Sequence, residues 1–213
     1  KKILVLTFVL IFALFIVSSC SGTPAASSQN SEAAAGKPKF MFIAGDMANE
    51  SQVFAAKKFN EHAAEYGFEV SILDGRGDPQ VQAQVVGNAV AQGAKVICIN
   101  PNDAKGIIPS LEAAKKAGVI IGVYGSEIMS ENPDAARDFY VTQDDIQGGQ
   151  MAVKAIQEKY PEGCNVVEVE GQAGHDAAIK RHDGFIKGIE GTKINLLASM
   201  APTQWATAEA LSI

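Results

Sequence analysis

The sequence predicts an α/β protein built as two doubly wound parallel-sheet lobes in tandem, the second of them incomplete. Three features carry that expectation. Short Val/Ile-rich runs, the length of strands buried on both faces, alternate with longer segments whose apolar residues recur every three to four positions. Glycine closes most of the helical segments, as a left-handed cap requires. The alternation breaks once, near residue 140, and then resumes. A βαβα order of this kind implies parallel strands with right-handed crossovers and helices on both faces.

The elements follow in order. KFMFIAG (39–45) is a continuous apolar run ending in glycine. Residues 51–66 place Val53, Ala56, Phe59, Ala63 and Tyr66 on one helical face, with Gly67 after it. FEVSILDG (68–75) is a second strand, and Asp78-Pro79 supplies a cap and a first-turn proline for a helix running to Gly93. AKVICIN (94–100), a helix over 104–117, and VIIGVY (119–124) complete the first series. After an irregular stretch, 131–150, come a helix over about 146–159, the strand CNVVEVEG (164–171), a helix over about 177–190 and the strand INLLASM (194–200). The chain closes on TQWATAEALSI, the opening of a further helix, so the second lobe is expected to be truncated. In sheets of this type the ligand meets the carboxyl ends of the strands. Here those ends are GDMANESQ, DGRGD, NPND and YGSE.

The amino-terminal region has a different character. Lys1-Lys2 precedes an apolar run, residues 3–17, in which Thr7 is the one polar side chain. A membrane span needs roughly 20 residues, so this pattern reads as an export signal. Val17-Ser18-Ser19-Cys20 then sets small residues before a cysteine, the pattern of a lipoprotein signal, with Cys20 as the lipid attachment point. Residues 21–38 hold no aliphatic side chain larger than alanine and read as a flexible tether. The expected organisation is therefore a signal and lipobox (1–20), a tether (21–38), a first lobe (39–138), and a crossover with a partial second lobe (139–213).

Composition and motifs exclude several classes. The net charge is −6 and no more than two basic residues adjoin, so a nucleic-acid binder, which needs a clustered basic face, is not expected. No nucleophile elbow, P-loop or complete dinucleotide fingerprint occurs, and no catalytic residue is assigned. His175-Asp176 could form half of a triad, but Asp176 reads more simply as a helix cap. The histidines and the two remaining cysteines, Cys98 and Cys164, lack metal-ligand spacing, so no metal, cofactor or disulfide is expected.

Polar residues at strand ends and a tryptophan remain. A sugar presents hydroxyls around its rim and C–H groups on its faces, and its recognition calls for two-way hydrogen-bonding groups and an aromatic plate. Asp46, Asn49, Ser51, Gln52, Ser126, Asp144, Asp145, Arg181 and Trp205 offer that inventory.

Three stretches, KVICINPNDAKGIIPSLEAAKKAGV, DDIQGGQMAV and VVEVEGQAGHDAAIKRHDGF, resemble the ribose-binding-protein group, the extracytoplasmic sugar receptors of ABC importers. These share their periplasmic-binding-protein fold with the sensor domains of lactose-repressor-like regulators. The resemblance runs from about residue 39 to the end of the chain. It implies two α/β lobes joined by three crossover strands, with sugar between them. It matches Asn49 to the asparagine after strand one, Arg181 to the arginine that bonds sugar hydroxyls, and Trp205, allowing one inserted residue, to the stacking aromatic of the second lobe. Asp144 and Asp145 match the polar pair before Gly148-Gly149 at the hinge. Two departures bear on the substrate. Glu50-Ser51-Gln52 stands where ribose binders have Pro-Phe-Phe, and Gly125-Ser126 where they have Asp-Arg. Ribose itself is therefore disfavoured.

The resulting expectation is a lipid-anchored solute receptor of a sugar importer on the outer face of the membrane, not an enzyme. It would partner an ABC permease and its ATPase. A ligand sensor serving a chemoreceptor or histidine kinase is the alternative. A DNA-binding regulator would need a helix-turn-helix where this chain carries an export signal.

Overall fold

The computed structural model describes residues 36–213, so the export signal, Cys20 and nearly all of the tether lie outside the described residues. The elements run β1 (Lys39–Ala44), α1 (Glu50–Glu65), β2 (Glu69–Asp74), α2 (Pro79–Ala91), β3 (Ala94–Ile99), α3 (Ile108–Lys116), β4 (Ile120–Tyr124) and β5 (Phe139–Val141). There follow α4 (Asp145–Lys159), β6 (Cys164–Val169), α5 (Asp176–Ile189), β7 (Ile194–Met200) and α6 (Thr207–Ser212). The first five strands form one sheet in the order β2-β1-β3-β4-β5, and every pairing is parallel. From β1 the chain moves outward to one side for β2 and returns to the other for β3. This reversal leaves a crevice at the carboxyl ends of β1 and β3.

The sheet is covered on both faces. Met41, Ile43, Ile97, Ile99, Ile121 and Val123 point to one side and pack on Val86 and Ala89 of α2 and Leu111 and Ala114 of α3. Phe42, Ala44 and Cys98 point to the other, against Ala56 of α1 and the rings of Phe40, Phe59 and Tyr124. Each fully buried Ile or Leu contributes about 1.5–3 kcal/mol, so this core fixes the strand ends before any ligand arrives. Burial also pushes the Cys98 thiol up to about 12, as suits an inert core residue.

Local signals explain most boundaries. Asn49 caps α1 by accepting from Ser51 N at 2.9 Å, and Asp78 caps α2 by accepting from Gln80 N and Val81 N at 2.7 and 3.1 Å. The third helix begins at Ile108 rather than 104, because Asp103 Oδ1 accepts from Lys105 N and Gly106 N and folds those residues into a turn. Residues 139–141, placed with the crossover by sequence, pair instead as the fifth strand of the first sheet. Gly122 permits this, since the Phe139 ring fills the space a side chain there would need.

The strands β6 and β7 form a separate parallel pair. Val153 of α4, Phe185 of α5 and Ile194 of β7 make its core. The two helices touch backbone to backbone. A side chain on Gly149 would strike the Arg181 carbonyl, and one on Gly184 would strike the Ile146 carbonyl. This close approach is the physical content of the GG and GF motifs. The opposite face of the pair presents Val167, Val169 and Leu197 to solvent. Among the described residues, no helix is long and apolar enough to cross a membrane.

Candidate ligand-binding site

The loops after β1 and β3 are locked together from behind by buried amides. Gln82, fully buried on α2, donates to the Asn100 carbonyl at 2.7 Å and accepts from Asn102 N at 2.8 Å. Asn102 in turn donates to the Gly45 carbonyl at 2.9 Å. The polar atoms of these two loops thus have fixed positions before a ligand binds. That pre-organisation lowers the entropy cost of capture.

In front of these loops lies a cavity of about 460 Å³, walled by Gly45, Asp46, Asn49, Ser51, Gln52, Asn100, Asn102, Tyr124, Gly125 and Gln143 on one side and His175, Ala177, Arg181 and Trp205 on the other. Its size suits a small solute. Several wall groups have part of their hydrogen-bonding capacity committed. Gln52 Oε1 accepts from the Tyr124 hydroxyl at 2.6 Å and from Gly45 N, which leaves its amide hydrogens for a ligand. Ser51 donates its hydroxyl proton to Asn49 Oδ1 at 2.7 Å, leaving the Ser51 oxygen as an acceptor and the Asn49 amide as a donor. Burial pushes the Tyr124 hydroxyl far up, so it is neutral.

Arg181 contributes the cationic donor. Its Nε donates to Asp145 Oδ1 at 2.8 Å, and its guanidinium lies 6.0 Å from the centre of the Trp205 ring. Gln143 also donates to Asp145 Oδ1, at 2.9 Å. Trp205 lies against Gly171, whose missing side chain makes room for the indole. Glu209 orders the approach to Trp205 by accepting from Thr203 N, the Thr203 hydroxyl and Gln204 N at 2.8, 2.7 and 3.0 Å.

The residues expected from sequence separate into two groups. Asp46, Asn49, Ser51, Gln52, Arg181 and Trp205 share the wall. Ser126, Asp144 and Asp145 do not. Ser126 is fully buried because Gly125, at φ 69°, turns the chain so that the next side chain points inward. Asp144 spends its carboxylate capping α4, accepting from Gln147 N at 2.9 Å. Asp145 is buried behind Arg181 and acts through it. Asp176 is not a helix cap: it lies in the first turn of α5 and accepts from Glu127 N at 3.1 Å and Lys180 Nζ at 2.8 Å.

Sequence reasoning missed Asn100, Asn102, Tyr124, Gln143 and His175. The first three lie in strand-end segments already singled out. His175 was weighed only as part of a triad. It is buried, its Nε2 lies 3.1 Å from Asn100 Oδ1, and burial together with the Arg181 charge pushes it down to about 4, so the ring is neutral. Further bonds join the same two sides of the cleft: Gln172 Nε2 to the Gly77 carbonyl at 2.9 Å, and Ala104 N to the Gly174 carbonyl at 3.1 Å. Away from the cleft, Glu168, Glu170 and His182 bring carboxylate and imidazole atoms within 4.8 Å, a grouping their sequence spacing did not indicate.

A doubly wound lobe thus has its strand ends facing a second α/β unit across a cavity walled by amides, an arginine and a tryptophan. The chain belongs to the periplasmic binding protein domain family, whose profile matches residues 34–213. It is 28% identical over 178 residues to the ribose import binding protein of Bacillus subtilis, covering 83% of this chain and 57% of that one. It is 29% identical over 128 residues to the galactofuranose-binding protein of Escherichia coli, covering 60% and 40%. The periplasmic binding protein of the arabinose ABC transporter from Shewanella sp. ANA-3 shares the fold, with a TM-score of 0.74 and 21% identity over 80% of this chain and 56% of that one. The chain spans about half the length of the curated relatives it matches.

Proposed function

We propose that this chain is the solute-binding part of a sugar importer, which captures a monosaccharide or sugar-like solute between its lobes outside the cytoplasm. It would then deliver the solute to a membrane permease driven by an ATPase. One observation carries the reading: Trp205 and Arg181 meet across the cavity from a set of fixed amides, so an aromatic plate and hydrogen-bonding groups converge on a small volume. The C–H face of a sugar suits the indole, and its hydroxyls suit groups that both donate and accept. Similarity to the ribose and galactofuranose binding proteins supports the same ligand class. Glu50, Ser51 and Gln52 provide no aromatic wall opposite Trp205, so ribose is disfavoured and a more polar contact set is favoured on that side. A solute held there is shut away from water between two sides that already touch through the Gln172–Gly77 and Ala104–Gly174 bonds.

The address of the protein is part of the proposal. A lipid on Cys20, followed by the tether, would hold the receptor near its permease on the outer face of the membrane. Cys20→Ser should move the protein from the membrane to the soluble fraction, and retention in the membrane would overturn the anchor. For the ligand, calorimetry with a panel of neutral monosaccharides and polyols on the full chain should reveal one that binds with an accompanying change in Trp205 fluorescence. No heat and no fluorescence change with any member would overturn the sugar assignment.

A further inference from the structure

His175 joins the two sides of the cleft. Its Nε2 lies 3.1 Å from Asn100 Oδ1, a residue 75 positions away in the loop after β3. Its ring meets Trp205 edge-on, with centroids 5.3 Å apart and planes at 82°. One imidazole, 5% exposed, therefore spans from the first lobe to the indole of the second. With Asn100 Oδ1 accepting, Nε2 carries the ring's proton and Nδ1 its lone pair. Nδ1 is buried and has no hydrogen-bond partner. A second proton would have to go there, where no acceptor meets it.

The surrounding charges are few. Arg181, on the same helix, opposes a positive ring, while Asp176 on that helix and Asp145 on α4 favour one. From the first lobe, Asp46 and the neutral Tyr124 hydroxyl are the ionisable groups in the cavity wall. Desolvation outweighs the two carboxylates, because the ring is sealed by the contacts that join the lobes.

We propose that His175 is a positioning residue that makes ligand capture proton-sensitive: as a neutral ring it ties Asn100 to Trp205 across the cleft, and a second proton on Nδ1, buried with no acceptor, favours the ring in water, so that the two sides part and the ligand is released. The inference rests on the cleft being a ligand site, but its first test does not. In the closed arrangement the ring stays neutral down to about 4 rather than the ordinary 6.5. When the lobes part, the ring meets water and its ordinary affinity for protons returns. The closed form thus binds fewer protons between those values. Closure is fully favoured above about 6.5 and is lost as the pH falls toward 4, by up to tenfold per unit.

Trp205 is the sole tryptophan of the chain, so its emission reports on the imidazole beside it. A pH titration of Trp205 fluorescence in the full chain should show a transition centred well below 6.5. It should vanish in His175→Gln, whose amide keeps a donor toward Asn100 but does not titrate. The histidine ring resonances of the unaltered protein give the same midpoint without any variant. With D-galactose, L-arabinose and myo-inositol as probes, whichever is captured at neutral pH should bind at least tenfold more weakly at about pH 5. In His175→Gln its affinity should not change with pH. A His175 midpoint at the ordinary value, a fluorescence transition that survives in His175→Gln, or a wild-type affinity that is flat across this range would overturn the proposal. Capture of no probe would overturn the sugar reading instead, and the fluorescence and resonance measurements would still decide the role of His175.

Discussion

Arg181 Nε donates to Asp145 Oδ1 at 2.8 Å, joining a guanidinium that is 46% exposed to a carboxylate that is 1% exposed. The pair is asymmetric in purpose. The buried partner supplies position and the half-exposed one reaches the cavity. Such a pair holds a flexible arginine in one rotamer, so its remaining N–H groups wait at a fixed place for a ligand.

If Asp145 acts through Arg181, removing either weakens binding and removing both costs no more than removing Arg181 alone. Arg181→Ala and Asp145→Ala are each expected to reduce affinity for the captured monosaccharide by at least tenfold, about 1.4 kcal/mol. The double variant should match Arg181→Ala. Calorimetric affinities that add across the two sites would show that Asp145 contributes by a separate route.

Adjacent glycines on α4 should respond in opposite directions. A side chain on Gly148 meets nothing within 4 Å, whereas one on Gly149 runs into the Arg181 carbonyl and the Phe185 amide of α5. Gly148→Ala is expected to stabilise the protein by about 0.5–1 kcal/mol, the ordinary gain from alanine in a helix. Gly149→Ala forces the helices apart and is expected to cost about 1–3 kcal/mol. Denaturant midpoints for the two variants check the sign. Two shifts of the same sign would mean that the α4–α5 contact tolerates the extra methyl.

The alternation of strand and helix was legible because burial on both faces writes continuous apolar runs, and caps such as Asn49 and Asp78-Pro79 mark the helix starts. Half of the site was legible for the same reason, since residues immediately after a parallel strand face the crevice. The remainder depended on geometry that periodicity does not carry. Ser126 turns inward on the φ of Gly125, one residue away from a cavity-lining position. Asp144 and Asp145 look interchangeable in sequence, yet the helix start assigns one to a cap and the other to the interior. Asn100 and His175 meet across 75 residues, a distance no local pattern spans.

His182 offers a test of linkage outside the cleft. Burial acts to lower its affinity for protons, but the 2.9 Å bond to Glu168 and the charges of Glu168, Glu170 and Asp183 outweigh it and raise it. A group raised on folding gives stability that is fully present below the unfolded value, about 6.5, and is lost as the pH rises through the folded one. Wild-type protein should therefore exceed His182→Gln in melting temperature at about pH 5.5, and the advantage should shrink as the pH rises above the ordinary histidine value. An advantage independent of pH would assign the His182–Glu168 contact to packing rather than charge.

Gly171 controls the placement of Trp205 without reaching the cavity itself. Its backbone needs no left-handed angle, so alanine is conformationally permitted there. The added methyl, however, would occupy the space held by the edge of the indole and press on Ala178. The indole is the less constrained of the two, since it sits in a short loop and is half-buried. Gly171→Ala should therefore displace Trp205 toward solvent rather than unfold the lobe. The expected outcome is a red-shifted emission from this sole tryptophan, a denaturant midpoint within about 1 kcal/mol of wild type, and a loss of monosaccharide affinity comparable to that of Trp205→Ala. If the emission shifts but affinity holds, Trp205 is a wall residue that does not stack on the ligand, and the aromatic contact must be sought elsewhere in the cleft.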